Sequence, residues 1–257
     1  ADMDALDIRE ESGLPFTSVT PYGHCCGHDM HTAMLLTAAK LLKEREEDLN
    51  GTVKLMFQPG EEYFIGAKAM IEAGVLENPK VDVAVDMHVN GRIPLGAIAP
   101  CSLGYTCASC DGMKLTINGK GCHGAWPHMG IDPINVAAHI YLSLQELIAR
   151  EAPADITTTL TFGQFAGGNT ANIIPSQVVM QGTLRTFSPE LRQKLVARIH
   201  EIVEYTSKAF GASTDYEALS DVPALYTNPE LLAEMKEYVM DLGVEFIPYP
   251  PSSASDD

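Results

Sequence analysis

The sequence predicts an α/β protein in which a mostly parallel-sheet domain carries an inserted, ferredoxin-like α+β domain. Through the first hundred residues, short apolar stretches alternate with helical periods, a pattern typical of parallel sheets covered by helices on both faces. From about residue 111 the order becomes strand, helix, strand, strand, helix, strand. That order is the signature of a ferredoxin-like unit.

The elements of the first part rest on apolar spacing and stop signals. Residues 31–46 carry apolar side chains at helical spacing, with charges toward the C-terminal end. Residues 62–74 have a helical period that ends on a glycine, a common helix stop. Residues 52–57 and 81–88 are short apolar runs, which we interpret as buried strands.

The second part has longer and clearer elements. We predict strands at 111–119, 156–164, 176–187 and 213–220, with helices at 131–150 and 188–210. Residues 228–242 then return to a capped helix followed by a strand, which resumes the first domain. The predicted division is therefore a first domain at 1–108, an inserted domain at 109–219, and the incomplete continuation of the first domain at 220–257.

Composition excludes several classes of partner. Hydrophobic residues make up 46% of the 257 residues, enough for a sizeable core. Seventeen basic and thirty-four acidic side chains leave a net charge of −17, which repels phosphate backbones and anionic lipid. No apolar run approaches the roughly 18 residues that a membrane-spanning helix needs. We therefore expect neither nucleic acid nor a membrane as a partner.

The cysteines do not form a disulfide scaffold in a chain of this length. The six are Cys25, Cys26, Cys101, Cys107, Cys110 and Cys122. Cys107 and Cys110 form a CxxC, which leaves a thiol redox protein open as an alternative. However, this CxxC leads into a strand rather than opening a helix, and no second CxxC completes a zinc ribbon. Two half-buried free thiols are the favoured interpretation.

Three polar clusters follow predicted strands or open a helix, where active sites of open parallel sheets form. They are Cys26-Gly-His28-Asp29 with His31, then Glu61-Glu62, then Asp86-Met-His88. Singly, a Glu pair can cap a helix and a His can be a satisfied surface residue. Together they offer thiolate, imidazole and carboxylate, a set that suits Zn²⁺, Mn²⁺, Co²⁺ or Ni²⁺. One glutamate could bind metal while its neighbour takes a proton from water.

Six motifs carry a resemblance that spans essentially the whole chain. They are ADMDALDI, HCCGHDMHTAMLL, FQPGEE, GKGCHGAWPHMGIDPI, GGNTANIIP and GTLRTF. In this order they resemble the serial motifs of the M20 metallopeptidase family. The branch they resemble is that of the amidohydrolases, which contains aminoacylases, hippurate hydrolases and auxin-conjugate hydrolases.

The resemblance implies two divalent metal ions and assigns roles by position. It makes 1–108 and 220–257 the metal-binding catalytic domain and 109–219 the lid or dimerisation domain. Cys26, His28, Glu62 and His88 correspond to metal ligands, and Glu61 corresponds to the general base. The opening stretch of two cysteines and three histidines would then be a metal-binding loop. His24 and Cys25 are left without a role, and His31 is expected to pack or hydrogen-bond on its helix.

Further residues gain roles from the resemblance alone. His123 corresponds to a lid histidine that reaches the substrate carbonyl, commonly in the partner subunit's site, which implies a homodimer formed through the lid. Asn172 and Arg185 correspond to polar and carboxylate-recognising groups of the lid. Asp4 corresponds to the acidic residue beside the site that orients a ligand.

The implied function is a metal-dependent amidohydrolase that cleaves N-acyl amino acids or related small amides, with a cytoplasmic location expected. A dipeptidase or carboxypeptidase using the same site, and a non-catalytic family member, remain open. Cys25, Met30 and Asp7 depart from the family's usual residues, but none of them replaces a ligand. Family members continue past the final residues to a last histidine ligand, so we expect a fragment cut at both ends.

Overall fold

The computed structural model describes residues 1–100 and 104–257. The chain forms two compact units, one made of residues 1–97 with 257 and the other of residues 98–256. The domain boundaries expected from the sequence, 1–108, 109–219 and 220–257, stay a prediction. None of the helices in the described part has the length and apolar character needed to cross a bilayer.

The mixed helix and strand content confirms the α/β class. The helices are α1 His28–Glu44, α2 Gly66–Glu72, α3 Pro133–Glu151, α4 Pro189–Ala209 and α5 Pro229–Asp241. The strands are β1 Ala97–Ile98, β2 Gly104–Cys107, β3 Cys110–Asn118, β4 Cys122–His123, β5 Thr158–Ala166, β6 Ile173–Ile174, β7 Gln177–Thr186, β8 Ser213–Val222, β9 Leu225–Thr227 and β10 Glu245–Phe246.

The unit of residues 98–256 is built on a four-stranded antiparallel sheet. Its strand order is β5-β7-β3-β8, so the central strand β3 pairs with both β7 and β8. Helices α3 and α4 pack on this sheet and on each other. The β-α-β-β-α-β order expected from the sequence is thereby observed. Apolar residues that alternate along β3 and β7 fill the core beneath the helices, among them Met113, Leu115, Met180 and Leu184.

Three helices of this unit begin with the same local chemistry. The side chains of Asp132, Ser188 and Asn228 accept hydrogen bonds from backbone N–H groups in the first turns of α3, α4 and α5. Each of these N-caps is followed by a proline at the first helical position, where the missing N–H costs nothing. These pairs of a capping residue and a proline explain why the starts of all three helices could be predicted from the sequence to within two residues.

The unit of residues 1–97 contains both expected helices, the second shorter than the predicted 62–74, but it lacks the two expected strands. Residues 52–57 and 81–88 contain no named strand, and their apolar side chains are largely exposed, Val53 by 51% and Val85 by 63%. The prediction of two buried strands is therefore wrong for the described chain. A strand needs a neighbour for its backbone groups, and beside 52–57 the structure has one isolated parallel bridge, Asp2–Gln58.

Candidate metal centre

The buried side chains of residues 1–97, all of which the structure describes, are polar. Apart from two glycines, the buried residues in this stretch are His28, His31 and Glu61. Burying imidazole and carboxylate groups costs free energy unless hydrogen bonds, opposite charges or a metal ion compensate them. The interior of this unit is therefore a polar site rather than an apolar core.

Gly27 shapes the loop that enters helix α1. It has a left-handed conformation with φ of 86°, and a Cβ at this position would lie 2.3 Å from Cγ2 of Val89. Only glycine allows both the backbone angle and this close approach. The approach brings the loop against residues 88–89, where the Cys26 Sγ lies 3.3 Å from the His88 Nε2.

The turn that carries Glu61 and Glu62 is held by the carboxylate of Asp4. This carboxylate accepts hydrogen bonds from the backbone N–H groups of Gly60, at 2.8 Å, and of Glu62, at 3.2 Å. This turn brings both glutamates close to His28, whose Nε2 lies 3.6 Å from Glu61 Oε2 and 3.8 Å from Glu62 Oε1. The orienting role expected of Asp4 stays a prediction, although its position beside the glutamates fits that role.

The donor atoms of these residues fit a divalent metal ion. Three groups share His28: one with Cys26 and His88, one with Glu61 and Glu62, and one with Asp2 and His31. In each group the possible ligand atoms lie within 4.8 Å of one another. Both ring nitrogens of His28 and Oε1 of Glu62 are buried and have no hydrogen-bond partner among the described residues. Such atoms need a partner, and thiolate, imidazole and carboxylate are the donors that zinc and similar ions take.

The electrostatic surroundings of Cys26 are negative. Burial, and after it the carboxylates of Glu62 and Glu61, raises the pKa of the Cys26 thiol to about 11. The side chains around this sulfur therefore favour its neutral form, whereas a neighbouring divalent cation acts in the opposite direction.

Comparison with known proteins identifies the family. Residues 1–257 match Peptidase family M20/M25/M40 over the whole chain. The chain belongs to this family. The family assignment made from the six sequence motifs is thus confirmed.

Similar M20 proteins have been named for amide hydrolysis. An N-acetyl-L-cysteine deacetylase of Bacillus subtilis is 37% identical over 100% of this chain and 61% of its own length. The IAA-amino acid hydrolase ILR1-like 5 of Arabidopsis thaliana is 39% identical over 100% of this chain and 60% of its own. The chain therefore spans about three fifths of the length of these relatives.

A solved M20 structure shares the fold. The Bacillus subtilis YXEP protein, described as a dinuclear metal binding peptidase from the M20 family, superposes with a TM-score of 0.80 at 32% identity. The match covers 100% of this chain and 65% of that one.

Sequence reasoning missed one member of the polar cluster in this M20 chain, Asp2. Asp2 lies between two histidines, with Oδ1 2.5 Å from His31 Nδ1 and Oδ2 3.2 Å from His28 Nε2. His31 is buried and hydrogen-bonded, as the sequence suggested. The D-x-D at residues 2–4 lies in the ADMDALDI motif, which belongs to the six motifs of the resemblance, and that signal could have drawn attention to Asp2.

The remaining candidate residues lie in the unit of residues 98–256. On β4, the Nδ1 of His123 accepts a hydrogen bond from the backbone N–H of Ala125 at 3.1 Å, and its ring packs against Trp126. The backbone carbonyl of Asn172 accepts from the N–H of Gly124 at 2.7 Å. These contacts bring the loops of His123 and Asn172 together, while the substrate roles of both side chains stay predictions.

Arg185 on β7 faces the last residues of the same unit. Its Nη1 donates to the carbonyl of Ser253, at 3.2 Å, and to the hydroxyl of Ser255, at 3.1 Å. Its guanidinium thus donates to oxygen atoms of its own unit, and its role toward a substrate carboxylate stays a prediction.

The CxxC cysteines end one strand and begin the next. Cys107 is the last residue of β2, and Cys110 is the buried first residue of β3. The Sγ of Cys110 lies 3.5 Å from the hydroxyl oxygen of Ser220. Cys101 lies outside the described residues.

Proposed function

We propose that the full-length protein is a metal-dependent amidohydrolase that cleaves N-acyl amino acids or related small amides. The observation that carries the proposal is the buried polar cluster around His28. Its ring nitrogens have no hydrogen-bond partner among the described residues, its Nε2 lies near the carboxylates of Glu61 and Glu62, and the thiol of Cys26 and the imidazole of His88 complete the donor set. The deacetylase and the IAA-amino acid hydrolase among the similar proteins support an amide of an acylated amino acid as substrate.

In this proposal Cys26, His28, Glu62 and His88 hold two divalent ions. Zinc, manganese, cobalt and nickel all suit a set of sulfur, nitrogen and oxygen donors. The description of the similar Bacillus subtilis protein as dinuclear supports two ions rather than one. When bound, the ions supply Lewis acidity that activates water and polarises the amide carbonyl.

Glu61 is the proton carrier of the proposed reaction. Its carboxylate takes the proton of the attacking water and returns it to the nitrogen of the leaving amine. Burial, with 8% of the residue exposed, keeps this carboxylate out of bulk water. The adjacent Glu62 is instead proposed as a metal ligand. The backbone N–H groups of Gly60 and Glu62 donate to the carboxylate of Asp4, and these hydrogen bonds hold both glutamates on one turn.

The candidate residues of the 98–256 unit are assigned to substrate binding and to dimer formation. His123 and Asn172 contact the substrate amide, and Arg185 binds the carboxylate of the amino acid. A homodimer formed through the 109–219 domain places His123 in the partner subunit's site. These assignments rest on the family resemblance, and we propose a cytoplasmic location with them.

The proposed activity is tested by metal removal from the full-length protein. We expect hydrolysis of N-acyl amino acids to disappear after dialysis against a chelator and to return with Zn²⁺, Mn²⁺, Co²⁺ or Ni²⁺. The measurement is kcat/KM for a panel of N-acyl amino acids and matched dipeptides. A larger kcat/KM for dipeptides would favour the dipeptidase alternative, and full hydrolysis by verified metal-free protein would contradict the proposal altogether.

Replacing Arg185 by Lys tests the recognition of the substrate carboxylate. A planar guanidinium holds a carboxylate through two hydrogen bonds and an ammonium does not. Losing one charge-assisted hydrogen bond should raise KM for free acids by roughly tenfold or more, with a smaller effect on the corresponding amides. The control is Arg150→Lys, on the exposed surface of α3. Equal changes for acids and amides would contradict this role of Arg185.

A further inference from the structure

Both ring nitrogens of His31 are engaged in hydrogen bonds. Its Nε2 lies 2.9 Å from the backbone nitrogen of Val89, and its Nδ1 lies 2.5 Å from Asp2 Oδ1. A backbone N–H can only donate, so Nε2 accepts, and Nδ1 carries the proton that it donates to Asp2. The contacts thereby fix the tautomer of His31 and leave neither nitrogen for a metal ion.

The carbonyl of Val89 fixes a second histidine. It lies 2.7 Å from Nδ1 of His88, and because a carbonyl only accepts, that nitrogen must carry a proton. The Nε2 of His88 then keeps its lone pair, and this is the nitrogen that lies 3.3 Å from Cys26 Sγ. Val89 is thus held at its N–H by His31 and at its carbonyl by His88.

We propose that Asp2 and His31 are positioning residues that set the orientation of the ligand His88 through the backbone of Val89. The proposal rests on the proposed function, since it assigns His88 to the metal ions. Each link is a hydrogen bond within residues 1–97, in the order Asp2, His31, Val89, His88. Outer partners of this kind orient histidine ligands, and losing them typically costs about 10–100-fold in metal affinity or activity.

Two further observations support the positioning role of Asp2 and His31. His31 is 3% exposed, so its ring is held in place by the surrounding protein as well as by its hydrogen bonds. Its ring lies edge-on to that of His88, with centroids 4.6 Å apart. The second oxygen of Asp2 also approaches Nε2 of His28 at 3.2 Å, so one carboxylate lies against the imidazoles on both sides of it.

The positioning role of Asp2 and His31 is tested by the affinity of the full-length protein for Zn²⁺. This affinity is measured by competition with a chromogenic chelator. His31→Phe keeps the ring and removes both hydrogen bonds, so we expect Kd to rise about 10–100-fold. The amide of His31→Gln offers one acceptor and one donor and should recover most of that loss, although glutamine is a poor zinc ligand. The control is His200→Phe, on the exposed side of α4, with unchanged Kd. Circular dichroism checks folding, and Asp2→Ala replaces His31→Phe if that variant is unfolded.

A second readout requires no metal. The backbone N–H of Val89 should exchange slowly in the unaltered protein and in His31→Gln, and faster in His31→Phe. Equal Zn²⁺ affinity in all variants, or no recovery by glutamine, would overturn the positioning role while leaving the amidohydrolase proposal intact. A protected Val89 N–H in a protein that binds no metal at all would instead overturn the proposed function, and with it the role of Asp2 and His31.

Discussion

Replacing Glu61 by Gln is expected to lower kcat of the full-length protein by about 10²–10⁴-fold, the range that general acid–base catalysis contributes. Glutamine keeps the size and hydrogen-bonding shape of the side chain but cannot accept the proton of the attacking water. Because the proposed ligands are untouched, metal content should stay the same. The measurement is kcat together with the metal content of the purified variant.

The neighbouring glutamate provides a matched control. Glu62→Gln removes a proposed ligand from the same turn, so it should lower metal content as well as kcat. The two variants differ by one position in the chain, and both residues lie near Nε2 of His28. If Glu61→Gln retained near-normal kcat, or lost metal as Glu62→Gln does, Glu61 would not be the base.

The second large effect is expected from Cys26→Ser, compared with Cys25→Ser. The sulfur of Cys26 lies beside His88, whereas the adjacent Cys25 is exposed. A serine hydroxyl is a poor substitute for a thiolate ligand. We expect Cys26→Ser to weaken Zn²⁺ binding by more than the roughly 10–100-fold typical of a lost outer-shell contact, with Cys25→Ser unchanged. Equal Kd values for the two variants would show that Cys26 does not bind metal.

The parts of the fold that the sequence predicted best are those that local chemistry decides. Asp132, Ser188 and Asn228 each precede a proline, and each caps a helix at the position the pattern indicated. In the antiparallel sheet, buried and more accessible residues alternate along most of β3 and β7. This two-residue period can be recognised in the sequence without knowing which strands pair.

The two wrong strands show the limit of this reasoning. Residues 52–57 and 81–88 have the apolar character of buried strands, yet a strand exists only where another backbone supplies its hydrogen bonds. Apolar character is a property of the segment, whereas pairing depends on distant parts of the chain. The pattern therefore predicted both the pairing and the burial of these segments wrongly.

The same distinction applies to the candidate site. Cys26, His28, Glu61, Glu62 and His88 could be named because each belongs to a short motif that follows the family's order. The contact between Asp2 and His31 joins residues that are 29 positions apart, and its second half runs through the backbone N–H of Val89. A backbone group leaves no trace in residue identity, so this part of the site required the structure.

The place of β8 beside β3 has a consequence for synthesis on the ribosome. β3, α3, β5 and β7 emerge first, but one edge of β3 waits for the last strand of the sheet, which ends at Val222. At about 5–20 residues per second, the chain from Thr186 to Val222 takes roughly 2–7 s to appear. During that interval the nascent sheet presents an open edge of unpaired backbone N–H and C=O groups, the kind of surface that pairs with other chains. Slow translation over this stretch would lengthen its exposure to chaperones and to neighbouring nascent chains.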